Sequence, residues 1–212
     1  MSRGRFIAFE GGEGAGKSTQ AKLLADALKT RGVDVLLTRE PGGTPGAEAI
    51  RRLLLDPPGE GWGARAEALL FAAARADHVE RAIAPALESG TWVVCDRFVD
   101  SSRAYQGGAG GLADEDILAL HQVGSNGLLP DLTLLVEVPP EAIAERLQRR
   151  DGAGADAIGG RGAAYHADVH AAFERLAAAD PARFVRIDGS GSKEQTHEQV
   201  LQAIAALLPD AR

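Results

Sequence analysis

The chain contains one cysteine, Cys95, so it can form no internal disulfide, and the apolar run around that residue marks it as a buried thiol. Lysine is almost as scarce, at four of the 23 basic residues. An arginine beside a motif therefore carries little weight by itself. Against 30 acidic residues the net charge is −7, which argues against general binding to DNA, RNA or an anionic membrane surface. No apolar run reaches the length of a membrane span. The N-terminus runs straight into a strand pattern without the apolar centre of a secretory signal, and the resulting expectation is a cytoplasmic location. Zinc is not expected either, because the histidines other than His78 lack ligand spacing and there is only one thiol. There are no internal repeats. The remaining composition, 45% hydrophobic and 25% charged over 212 residues, suits one globular domain spanning 1–212.

Against these absences stands one dense motif, Gly11-Gly12-Glu13-Gly14-Ala15-Gly16-Lys17-Ser18, followed by Thr19. It fits the phosphate-loop pattern G-x-x-x-x-G-K-[ST] between a β-rich run, Phe6–Phe9, and a helical pattern through Leu28. Glycines let the backbone curl with its N–H groups inward, and the helix N-terminus adds partial positive charge. Lys17 can then reach the outer phosphates of a nucleotide, and the Ser18 hydroxyl can ligate Mg²⁺. A bare glycine turn is the alternative, but a chance match in this context is rare.

Four further short apolar runs, Val33–Thr38, Thr91–Cys95, Leu132–Val138 and Phe184–Ile187, alternate with helical patterns over about 47–55, 64–89, 114–123, 140–150, 162–179 and 193–208. The alternation predicts an α/β fold with a five-stranded parallel sheet and helices on both faces. Asp114 and Ser192 suit N-caps, and Pro140 suits a first helical position. The glycine-rich stretch 107–111 reads as a connection to the next helix, and the run 151–160 as either a mobile lid or a plain loop.

Open parallel sheets bind ligands beyond their carboxyl edge, so the polar clusters at strand ends matter. One is Arg39-Glu40-Pro41-Gly42-Gly43-Thr44. Another is Asp96-Arg97, in which Asp96 could organise Mg²⁺ and Arg97 could hold a second phosphate as a bidentate fork. A surface ion pair is the other reading of those two residues. Phe71, Arg75 and His78 share one helix face; they could stack on and read a base, though on spacing alone packing is the favoured reading of such a mixed face. His78 reads as a packed or surface histidine rather than a catalyst.

The segments Phe9–Thr19, Thr38–Thr44, Asp96–Gly107 and Pro130–Leu134 together resemble bacterial thymidylate kinases over nearly the whole chain. The resemblance implies transfer of the ATP γ-phosphoryl group to dTMP, with Mg²⁺ as cofactor, in a homodimer. It implies that Lys17 and the loop amides hold the ATP phosphates and that Arg97 binds the acceptor phosphate, with Ser18 and Asp96 at the metal and Glu13 near acceptor and metal. Arg39 and Glu40 would line the acceptor cleft, Ser102 would approach the base and Gln106 would bind the substrate. Phe71 would stack on thymine, Arg75 would donate to its carbonyl, and Tyr105 would press where a ribose 2′-hydroxyl would sit. The family's usual lid arginine is missing, since the matching stretch is Asp156-Ala157-Ile158-Gly159 within a lid of about 149–161. Arg149, Arg150 or Arg161 would substitute, with Arg161 the nearest candidate for a catalytic role. Rival readings are another phosphate-loop kinase or a GTP-dependent switch, and the switch lacks an Asn-Lys-x-Asp segment.

Overall fold

Successive side chains along a strand point to opposite faces, and here both faces are apolar, as a sheet covered by helices on both sides requires. In the computed structural model, which describes residues 3–139, 143 and 157–208, the apolar runs form five strands. They are β1 (Phe6–Glu10), β2 (Val35–Arg39), β3 (Trp92–Asp96), β4 (Leu132–Glu137) and β5 (Phe184–Asp188). All neighbouring pairs are parallel, in the order β2-β3-β1-β4-β5. Ile7, Phe9, Val94, Leu134, Val136 and Ile187 face one layer, packed with Leu24 and Leu28 of α1 (Lys17–Thr30) and Val200 and Ile204 of a C-terminal helix. Phe6, Ala8, Val93 and Cys95 face the other, against Val79, Ile83, Leu87 and Phe98.

The remaining helices among the described residues are α2 (Pro45–Leu55), α3 (Ala64–His78), α4 (Ala84–Glu88), α5 (Val99–Ser102), α6 (Asp114–Ser125), α7 (Ala163–Ala179) and α8 (Lys193–Ile204). A π-helical stretch, Val79–Ile83, joins α3 to α4, so the expected 64–89 helix is one nearly continuous rod. Ser192 caps α8 with a reciprocal capping box to Gln195, as its position suggested.

Two local expectations are corrected. Asp114 is not an N-cap: Ala113 occupies that position, and the Asp114 carboxylate is engaged by Arg103, at 2.8 and 2.7 Å. The region after Arg97 is also helical, with α5 continuing as a π-helix over Arg103–Ala109 that takes in part of the 107–111 glycine stretch. Polar anchors hold it: Asp100 is fully buried and meets Arg183 at 2.5 Å and Arg103 at 3.2 Å. Apart from Ile143, the expected 140–150 helix lies outside the described residues, as do lid residues 149–156, and with them Pro140, Arg149 and Arg150.

Candidate functional site

Strands β1 and β3 are adjacent, so the loops leaving their carboxyl ends open onto the same crest. The β1 loop turns sharply into α1: Gly11, Gly14 and Gly16 have φ of 134°, 69° and 98°, where a side chain would be strained. Space is a second constraint at Gly11, because a Cβ there would collide with the Val136 carbonyl. Lys17 follows at the first helical position, buried, its ammonium donating to the Gly12 carbonyl at 2.5 Å. Burial, reinforced by Arg97, pulls its pKa down to about 7.

The β3 end supplies the facing group. Arg97 has φ +70°, a left-handed conformation rare for a residue with a side chain. Its Nη1 donates to the Gly11 carbonyl and to Ser101 Oγ, both at 3.1 Å. Its Nη2 donates to Tyr105 Oη at 3.2 Å and lies 3.6 Å from Glu13, while the guanidinium sits 5.0 Å from the Tyr105 ring centroid. Burial works against its charge, but Tyr105, Asp96, Glu10 and Glu13 hold it above the ordinary arginine range. Glu10 fixes this helix from below: Oε1 accepts from the Phe98 and Ser101 amides at 2.8 and 3.0 Å, and Oε2 from Ser101 Oγ at 2.6 Å. Desolvation, with Asp100 nearby, pushes the Glu10 carboxyl up to about 7.

Lys17 and Arg97 line the same cavity, of about 540 Å³. It is also lined by Glu13, Gly14, Gly16, Ser18, Thr19, Arg39, Glu40, Phe71, Asp96, Tyr105 and Gln106 from the expected set. Gly11, Gly12 and Ala15 shape the loop without lining this cavity. Arg75 and Ser102 lie behind the lining. Arg75 is 3% exposed, and it donates to Glu40 at 2.7 Å, Ser102 Oγ at 2.8 Å and the Phe98 carbonyl at 3.4 Å. His78 is a packed residue, between Thr38 Oγ1 at 2.7 Å and Glu40 at 3.2 Å. Arg39 pairs with Glu48 at 3.1 Å. A smaller cavity, about 330 Å³, opens on the other side of the phosphate loop beside Gly189, Gly191, Lys193 and Thr196.

The residues expected at a metal meet one another. Ser18 Oγ donates a short hydrogen bond to Asp96 Oδ2, and Asp96 Oδ1 is buried without a hydrogen-bond partner among the described residues. A buried acceptor of that kind is what a bound cation satisfies, so the donor set, hydroxyl plus carboxylate, fits Mg²⁺. Arg161 does not line the larger cavity: its Nη2 makes a short ion pair with Glu67 and its Nη1 donates to Tyr165 Oη at 2.6 Å. Sequence reasoning passed over Ser101, Ile158, Pro41, Arg51 and Leu55, all of which line the cavity. Ser101 could have been found from Glu10, since an acid closing an apolar strand needs a donor beyond the strand end. Away from the cleft, Glu137, His170 and Glu174 gather their ligand-capable atoms within 4.8 Å, a proximity the histidine spacing did not suggest. The Arg186 guanidinium is 3.4 Å from Glu137 there.

The comparisons agree with this geometry. The family profile for thymidylate kinase matches residues 9–200. A thymidylate kinase of Rhizorhabdus wittichii is 58% identical over 97% of this chain and 99% of its own length. One from a Bradyrhizobium strain is 51% identical over 97% and 92%. The crystal structure of thymidylate kinase from Ehrlichia chaffeensis superposes with a TM-score of 0.76 at 31% identity, covering 95% of this chain and 99% of that one. With a matching family profile, near full-length relatives and a solved structure that superposes over nearly the whole chain, this chain belongs to the thymidylate kinase family.

Proposed function

We propose that the chain transfers the γ-phosphoryl group of ATP to dTMP, giving ADP and dTDP, with the two nucleotides meeting between Lys17 and Arg97. The observation that carries this reading is the shared cavity: two basic side chains, borne by the loops that leave adjacent strands, line one cleft. A plain nucleotide switch has no use for the second cradle.

The donor phosphates lie on the loop amides of residues 11–19 and on Lys17, and the rest of ATP extends toward the smaller cavity beside Gly189 and Lys193. The acceptor phosphate meets Arg97, whose charge is secured by its acidic surroundings. Phe71 offers the acceptor base a stacking face, Gln106 a polar group, and Tyr105 a wall against the sugar. Arg75 and Ser102 support that end from behind. Arg39 and Glu40 close the side beside α2.

Phosphoryl transfer here is mainly positioning and charge neutralisation. The acceptor oxygen is already anionic, so no side chain must remove a proton from it. Lys17 and Arg97 offset the charge that spreads over the transferring group, and they act most strongly where water is excluded. Ser18 and Asp96 would hold Mg²⁺, which when bound supplies a further positive centre for the phosphate oxygens.

Exposed Leu69 on α3 and Leu118 and Val123 on α6, two helices packed side by side, support a homodimer through these helices. No described helix is long and apolar enough to cross a membrane. A coupled ADP-release assay across nucleoside monophosphates, with ATP and Mg²⁺, tests the activity. Preference for dTMP is expected, and preference for UMP or GMP would refute the acceptor assignment. Sedimentation velocity tests the dimer.

A further inference from the structure

The turn 157–161 ends the segment expected to act as a lid, yet Ala157, Ile158 and Arg161 make contacts at the acceptor end of the cleft. Ile158 lines the cavity and packs in one apolar cluster with Tyr105, Phe71 and Leu55. The Ala157 amide donates to the Leu55 carbonyl of α2 at 3.4 Å, and the Arg161 amide returns to the Ile158 carbonyl at 3.2 Å. Arg161 then anchors the turn. Its Nη2 pairs with Glu67 of α3, its Nη1 donates to Tyr165, and its guanidinium lies 4.7 Å from the Tyr165 ring centroid. Tyr165 in turn donates to the Tyr105 carbonyl at 2.9 Å.

Glu67 is buried, and its other oxygen accepts from Gln106 Nε2 at 2.9 Å. One carboxylate thus holds two parts of the same lining, Gln106 on the helical side and, through Arg161, the turn that carries Ile158. Swinging Arg161 toward the donor phosphates would strand that carboxylate with a single neutral donor, which burial makes unfavourable. The guanidinium is a strut of the acceptor end.

We infer that Glu67 and Arg161 are a positioning pair that sets the size and affinity of the acceptor-base compartment, and that Arg161 does not act on the transferring phosphoryl group. The inference rests on the assignment of that compartment to the acceptor base. It predicts discrimination by size: with the Ile158 turn held in the apolar cluster of Phe71 and Tyr105 the compartment should favour a pyrimidine, and releasing the turn should relax the barrier to a purine.

Steady-state kinetics on Arg161→Ala, Arg161→Lys, Glu67→Gln and the Arg161→Ala/Glu67→Gln double variant, with melting temperatures for each, test the pair. Removing either partner should raise the KM for dTMP about tenfold, leave the KM for ATP within about twofold and lower kcat less than about threefold. It should also narrow the kcat/KM preference for dTMP over dGMP. The double variant should show a KM within about twofold of the worse single variant, because both lose one interaction. Arg161→Lys, which keeps the charge and loses the fork, should fall between wild type and alanine. Arg161 is partly exposed, so its variants carry the test if Glu67→Gln does not fold.

A fall in kcat of about a hundredfold at unchanged dTMP KM would place Arg161 on the transferring group and overturn the inference. So would a lowered melting temperature with unchanged dTMP KM, or a double variant showing the product of the two single effects. A wild-type chain that phosphorylates a different monophosphate would instead overturn the acceptor assignment. The same KM pattern measured with that acceptor would then still judge the pair.

Discussion

Replacing Glu10 by glutamine should make the protein relatively more stable as pH rises. The carboxyl is buried at the end of β1, accepts the Phe98 and Ser101 amides on Oε1 and faces Ser101 Oγ with Oε2. Glutamine keeps a carbonyl for the two amides and places an NH₂ where the protonated acid would carry its O–H, so Glu10→Gln mimics the neutral acid at every pH. The folded-state pKa, about 7 against an ordinary 4.5, is raised mainly by desolvation. A raised pKa contributes stability that is complete below about 4.5 and is lost as pH climbs through about 7. Between about pH 5.5 and pH 8 the wild type should therefore lose about 2 kcal/mol on account of Glu10 that the glutamine variant keeps. Lys17 and the other groups titrate in both proteins and largely cancel in the difference. Urea unfolding of each protein at both pH values, followed by the fluorescence of buried Trp92, measures it. The reasoning fails if the stability gap between the two proteins is the same at both pH values, or moves toward the wild type at pH 8.

Arg97→Ala should lower kcat about 10³-fold or more, as expected for a guanidinium that offsets charge in phosphoryl transfer, while ATP affinity stays within a few-fold; product formation under saturating ATP checks this. The Lys17 ammonium has its pKa lowered to about 7 by burial and by Arg97, so binding of an anionic nucleotide should draw a proton from solution between about pH 7 and pH 9. Titration calorimetry of ATP in buffers of different ionisation enthalpy would show that uptake as a buffer-dependent heat, and identical heats would refute it. Arg183→Ala should destabilise the fold by about 3 kcal/mol, because Asp100 stays fully buried with Arg103 as its remaining cationic partner. Denaturant unfolding reads the loss.

What could be read from the sequence divides by how local its cause is. The phosphate loop was legible because glycine conformations and a strand-to-helix junction depend on neighbours in sequence. The five strands were legible from apolar runs, with ends displaced by a residue or two. The helix after Arg97 was not. Asp100, Arg103 and Gln106 are polar on buried faces and blur any helical stripe, and their partners Arg183, Asp114 and Glu67 come from elsewhere in the chain. Arg161 shows the same limit. Its sequence position put it beside the lid, but a carboxylate 94 residues away decides where its guanidinium points.

The left-handed backbone at Arg97 narrows what that position can become. Glycine or asparagine would relax the main chain and forfeit the fork, while lysine would keep a charge but neither the ease of backbone nor the paired N–H geometry. Adaptation of this enzyme toward other acceptors should therefore proceed around Arg97, through the walls that Phe71, Gln106 and Ile158 supply. The residue at the crossing of the two loops would persist through such divergence as a fixed point.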